Sequence, residues 1–127
     1  MNTEEESEEM NEISGRVLGC AIKVAKVLRP GYFEKVYENA LVYEMRKQGL
    51  RVETQVRLDV CYEDIVVGQY IADVLVEGMM LLELKMTDDI GPAHISQALN
   101  YLTTTGLPLC LILNFGTSKL GIKRVRL

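Results

Sequence analysis

Apolar residues recur at helical spacing early in the chain. Ile13, Val17, Ala21, Val24 and Leu28 predict an amphipathic helix over 13–28. The "RPG" at 29–31 stops it, because proline disfavours helix in the residue before it and glycine breaks the run. A second stripe of Phe33, Val36, Tyr37, Ala40 and Leu41 predicts a helix over 33–48, closed by Gly49. The period then changes from helical to alternating. Val52, Thr54, Val56, Leu58 and Val60 are expected on one strand face, with Glu53, Gln55, Arg57 and Asp59 on the other. "YED" at 62–64 signals a turn, and 65–76 reads as a long strand. "EG" at 77–78 turns the chain into a strand over 79–86. A helix is expected over 91–104, a strand buried on both faces over 107–115, and a last strand over 119–126. The order α-α-β-β-β-α-β-β predicts a mixed α/β (α+β) domain, one sheet with helices packed on it.

Composition changes this picture at one end. The formal charge is −4, but residues 1–12 hold six glutamates and no base. The rest carries 12 acids against 14 bases, so the expected domain, 13–127, is close to neutral. A charge run with little apolar content predicts a disordered acidic tail over 1–12. No apolar run approaches the roughly 20 residues of a membrane span, so no membrane partner is expected. The acidic start lacks the basic and apolar regions of a secretory signal. Cys20, Cys61 and Cys110 are odd in number and far apart. That spacing argues against a disulfide framework or a zinc site and predicts reduced, largely buried thiols in a cytoplasmic protein.

Charged residues inside apolar runs are the chemical signal. "LLELK" at 81–85 puts Glu83 and Lys85 on one face of an otherwise buried strand, and Asp73 lies inside "YIADVLV" one strand earlier. Buried ions are costly unless they are paired or coordinated. Whether these acids meet depends on the turn. A two-residue turn at Glu77-Gly78 sets Asp73 against Leu82 and splits the acids between faces. A three-residue connection, Val76-Glu77-Gly78, sets Asp73 against Leu81 and puts Glu83 on the same face. Two carboxylates beside a lysine suit Mg²⁺ or Mn²⁺ and a phosphodiester: the metal prefers oxygen ligands, and the lysine orients water or meets charge developing on phosphate. Taken alone, an E-x-K pair is usually an exposed salt bridge of little energetic weight. The flanking leucines argue against that here.

The pattern Asp73…Glu83-x-Lys85 resembles the PD-(D/E)XK nuclease superfamily. The likeness extends to one branch of it, the GxxExxY protein family, through "GYFEKVY" at 31–37, "QGLRVETQV" at 48–56, "VGQYIADVLVEG" at 67–78, "HISQALNYLTTTG" at 94–106 and "LILNFG" at 111–116. Ala72 stands where the superfamily's nominal motif has proline. The resemblance implies a restriction-endonuclease-like core with Asp73 and Glu83 as metal-binding acids and Lys85 as the catalytic lysine. It adds Glu34 as a further metal-holding acid and Gln97 as a polar residue near the site. Tyr101 shares a helical face with His94 and Gln97. Gln97 and Tyr101 could contact substrate or simply hydrogen-bond to the sheet. His94 is expected to be structural. The implied substrate is nucleic acid, DNA first.

The near-neutral core is not the basic surface of a tight duplex binder. Arg46, Lys47, Lys119, Lys123, Arg124 and Arg126 could form local patches. A homodimer or a protein partner is therefore a further expectation. The alternative function is a catalytically silent nuclease-fold module that binds such a partner.

Overall fold

The computed structural model describes residues 3–127, with side chains from residue 7 onward. Residues 1 and 2 of the expected acidic tail lie outside the described residues. The elements follow the expected order: α1 (Thr3–Leu28), α2 (Glu34–Lys47), β1 (Val52–Tyr62), β2 (Ile65–Val76), β3 (Met80–Lys85), α3 (Pro92–Thr105), β4 (Leu109–Asn114) and β5 (Gly121–Val125). They form one five-stranded mixed sheet in the order β1-β2-β3-β4-β5. The β3–β4 pair is parallel, with α3 as its crossover, and the other pairs are antiparallel.

Helix α1 differs from expectation at its start. It takes in residues 3–12, where the charge run predicted disorder. Glutamate forms helix well and is favoured near the positive end of the helix dipole. Met10 then gives the segment a buried anchor beside Ile13.

Two cores cover the two faces of the sheet. Helices α1 and α2 pack Val17, Ala21, Leu41 and Met45 against Met80, Leu82 and Leu84. On the opposite face α3 packs Ala98, Tyr101 and Leu102 against Leu81, Cys110 and Ile112. The alternation along β3 sorts its residues, so Glu83 and Lys85 share Leu81's face toward α3. β4 is buried at every position, as its unbroken apolar run requires.

Strand β1 does not keep one face throughout. Val52 joins the α1/α2 core, whereas Leu58 joins the α3 core. The break falls at Gln55, a non-glycine residue with φ 52°. Its left-handed backbone rotates the strand between the Thr54↔Val74 and Val56↔Ala72 pairs. Across the ladder, Val74 and Ala72 divide between the two cores in the same way. Cysteine burial is also mixed: Cys20 and Cys110 are buried, but Cys61 is exposed beside a register shift near the hairpin end, and all three are free.

Candidate functional site

The hairpin joining β2 to β3 has an odd-length connection, as the meeting of the acids requires. It falls one residue later than expected. Val76 pairs with Met80, leaving Glu77-Gly78-Met79 as the turn. Glu77 and Gly78 both have positive φ, at 53° and 64°. Continued one step past Val74↔Leu82, this register sets Asp73 opposite Glu83 rather than Leu81.

That step is where the sheet forks. The β2–β3 ladder ends at Val74↔Leu82, while β3 continues along β4 as far as Lys85↔Asn114. Strands that part leave backbone N–H groups without ladder partners, and such groups are costly to bury unpaired. The two acids take them up. Asp73 Oδ2 accepts from the Leu84 N–H at 2.8 Å, and Glu83 Oε1 accepts from the Asp73 N–H at 3.1 Å. Each carboxylate is thereby tethered to the opposite prong of the fork.

Glu34 reaches the same place from the first turn of α2, where its carboxyl lies within hydrogen-bonding reach of Asp73. Three carboxyls so close cannot all hold charge cheaply. Burial and then the Asp73 charge push the Glu83 carboxyl up to about 8. Partial burial and then Asp73 push Glu34 up to about 7. Lys85 acts in the opposite direction on both. Its Nζ donates to Gln97 Oε1 at 2.8 Å, which ties the lysine to α3. Tyr101, buried one helical turn beyond Gln97, donates to the Ile71 carbonyl at 3.4 Å and packs against the Tyr70 ring. Burial and then the negative charge of Glu83 push its hydroxyl up to about 12.

All six singled-out residues therefore gather at one fork. Among the described residues, no three Asp, Glu, His or Cys side chains already surround a point that could hold a metal ion. His94 is structural, as expected: its Nδ1 accepts from the Gly91 N–H at the start of α3.

Sequence reasoning passed over the residues that hold this arrangement. Tyr37 is fully buried, its hydroxyl bonded to the Arg29 carbonyl and accepting from the Tyr32 N–H, so it pins the loop that delivers Glu34. Gly31 in that loop has φ 136°, which a side chain would strain. The spacing of Gly31, Glu34 and Tyr37 thus has a mechanical content that the pattern alone does not reveal. Glu38 is buried between Lys35 and the Gln55 amide, linking α2 to the twisted point of β1. Its only sequence signal was its place one turn after Glu34.

Among the described residues no helix is long and apolar enough to cross a membrane. No curated protein matches the chain. The fold is similar to two solved structures. One is described as SSO0001, with a TM-score of 0.57 and 15% identity over 72% of this chain; the match takes in 48% of SSO0001, so this chain spans about half its length. The other is an alkaline exonuclease (LHK-Exo) from Laribacter hongkongensis, with a TM-score of 0.51 and 16% identity over 84% of this chain and 75% of that one. At such identities the likeness concerns the fold, which is that of a restriction-endonuclease-like core. The model of one family, described as the PD-(D/E)XK nuclease superfamily, matches residues 11–125. That match takes in nearly the whole chain, the fork and its acids included, and the chain belongs to the PD-(D/E)XK nuclease superfamily.

Proposed function

We propose that this chain is a metal-dependent nuclease of the GxxExxY branch, a single catalytic domain over 13–127 that hydrolyses phosphodiester bonds of nucleic acid, DNA first. Asp73, Glu83 and Lys85 form its active site, with Glu34 as a further metal-holding acid and Gln97 and Tyr101 beside the substrate. The observation that carries this reading is the fork, where two backbone-tethered carboxylates and a lysine bonded to α3 meet at the parting strands.

The donor set fits a hard divalent cation. Its atoms are carboxylate oxygens, and Mg²⁺ typically takes only one or two protein carboxylates plus water and phosphate. The raised Glu34 and Glu83 carboxyls mark unbalanced negative charge that a cation would relieve. A bound Mg²⁺ or Mn²⁺ would polarise the phosphodiester and lower the pKa of a bound water. Asp73 and Glu83 are held by backbone amides, so little reorganisation is needed to present them. Lys85 stays on this face through Gln97 and either orients the attacking water or meets charge developing on the phosphate. Tyr101 keeps its proton at neutral pH and acts as a neutral donor. A cytoplasmic location belongs to the same proposal, in keeping with three free cysteines.

The test is calorimetric titration of Mn²⁺ into the wild type and Asp73→Ala, with a nicking assay on DNA and RNA. The expected result is binding and cleavage in the wild type and loss of both in the variant. A wild type that neither binds Mn²⁺ nor cuts would overturn the reading. It would favour the second one, a binding module with a protein partner. That reading draws on the β1–β2 hairpin, where Tyr62, Ile65, Val67 and Ile71 are all exposed.

A further inference from the structure

A groove of about 570 Å³ lies along the outer side of α2 where the helix meets β1. It is lined by Lys35, Asn39, Tyr43, Arg46, Lys47 and Thr54, with Glu38 as its one acid. Three cations in one groove are a local excess in a domain that is otherwise close to neutral. Glu38 opposes them weakly, because its carboxylate is 3% exposed and engaged by Lys35 and Gln55. The Lys35 and Lys47 side chains keep 53% and 51% of their surface, so their ammonium groups remain available to a ligand. Lys47 shares Glu44 with Lys23, and its ammonium lies 5.2 Å from the centroid of the exposed Tyr43 ring.

The groove and the fork share helix α2. Lys35, the groove residue nearest the start of α2, follows Glu34 directly. From Lys35 to Lys47 the helix covers about 18 Å at 1.5 Å per residue. That length runs beside several nucleotides of a strand.

We propose that this α2–β1 groove is the track along which the phosphate backbone of a nucleic-acid strand enters the site. The proposal rests on the nuclease reading and specifies where its substrate lies. Lys35 and Lys47 meet separate phosphates, Arg46 lies beside Lys47 with its guanidinium also donating to the Val52 carbonyl at 2.7 Å, and Asn39 and Thr54 add neutral hydrogen-bonding groups. Tyr43 offers an aromatic face on which a base can stack, a contact that tolerates any sequence. The track also answers an electrostatic difficulty of the fork. Its clustered acids repel a polyanion, and a cationic rail beside them offsets that repulsion during approach.

The experiment measures binding of fluorescent single-stranded and duplex oligonucleotides to the full chain by anisotropy, across a salt series with Ca²⁺ in place of Mg²⁺. Each lost phosphate contact lowers the slope of log K against log salt by about 0.9 for duplex and about 0.7 for single strand. Lys47→Gln is expected to lower the slope by one such step, and Lys35→Gln by another. Tyr43→Ala is expected to weaken the single strand more than the duplex. Lys119→Gln, away from the groove, should leave the slope unchanged. Thermal melts of each variant separate lost contacts from lost folding, and Lys47→Gln spares the buried Glu38 contact that Lys35→Gln removes.

Wild-type slopes in both lysine variants would overturn the track, and the nuclease reading would survive if Asp73→Ala still abolished cleavage. Mn²⁺ binding through Asp73 without any oligonucleotide binding would also overturn the track alone. An oligoglutamate that binds as tightly, with the same dependence on Lys35 and Lys47, would overturn it in favour of an acidic-peptide site.

Discussion

The two ends of β2 live in different surroundings. Its last residues, Val74 to Val76, are paired on both sides, and Val74 and Val76 are fully buried. Its first residues, Ile65 to Ile71, run beside β1 alone, with Val67 left out of the ladder at a register shift, and Ile65, Val67 and Ile71 are more than half exposed. Both ends are similarly apolar in sequence. What separates them is the company of β3, which turns away after Leu82. Asp73 stands at the boundary. A carboxylate is tolerable there because the parting strands offer it a backbone amide and leave it half-buried. Deeper in the sheet every amide has a partner, and further out there is no second strand to bond to. The fork is thus both the end of the β2–β3 ladder and a place where acids are held close together.

The largest expected effect lies on the paired side of that boundary. Leu82→Ala should destabilise the protein by about 2–5 kcal/mol in urea unfolding, since it opens a cavity at a fully buried position. Next comes the chemistry at the fork. Lys85→Ala should lower the cleavage rate about 10²–10³-fold, the usual effect of losing one preorganised charge-stabilising group. Its melting temperature should stay near that of wild type, because Lys85 is only partly buried and its ammonium bonds to Gln97 on the rim of the fork. A collapse in melting temperature equal to that of Leu82→Ala would show that Lys85 holds the fold instead.

The acid cluster gives a pH signature of intermediate size. Glu34 and Glu83 are held near 7 and 8 in the folded chain, above the ordinary carboxylate value of 4.5. The unfolded chain therefore releases these protons first. Stability from this source is complete below about 4.5 and falls as the pH rises through 7 to 8. Melting temperatures in EDTA should decline over that window. Glu83→Gln should flatten the decline, and Mn²⁺ should offset it by neutralising the cluster. A metal-free melting temperature that rises from pH 5 to 8 and is insensitive to Glu83→Gln would contradict the cluster. The smallest effect belongs to the exposed end of β2. Val67→Ser should change stability by no more than about 0.5 kcal/mol, as an exposed position with no core contact. A loss comparable to Leu82→Ala would mean that the hairpin is buried in solution, against a second copy or another partner.

Much of the candidate site was legible because its residues break local rules. Asp73, Glu83 and Lys85 are charges in apolar strands, and β-strand alternation alone places the last two on one face. Glu34 and Gln97 were legible only through the family likeness, since on helices they look like ordinary solvated polar residues. Tyr37 and Glu38 gave no local signal: a tyrosine in an apolar stripe and a glutamate on a helix are unremarkable until the loop and strand they hold are in place. The start of α1 is hidden in the sequence for a related reason. Glutamates near a helix start disguise the helix as a charge run, and only the packing of Met10 reveals the continuation.

Element order, the identity of the buried strands and the presence of a charged site all follow from the sequence by itself, because period, turn residues and the cost of buried charge act over a few neighbouring residues. The pairing of Asp73 with Glu83, the twist at Gln55 and the departure of β3 from β2 were settled only in the tertiary structure. Each depends on how far a strand runs beside its neighbour, and that is set by the helices packed on the two faces of the sheet rather than by either strand.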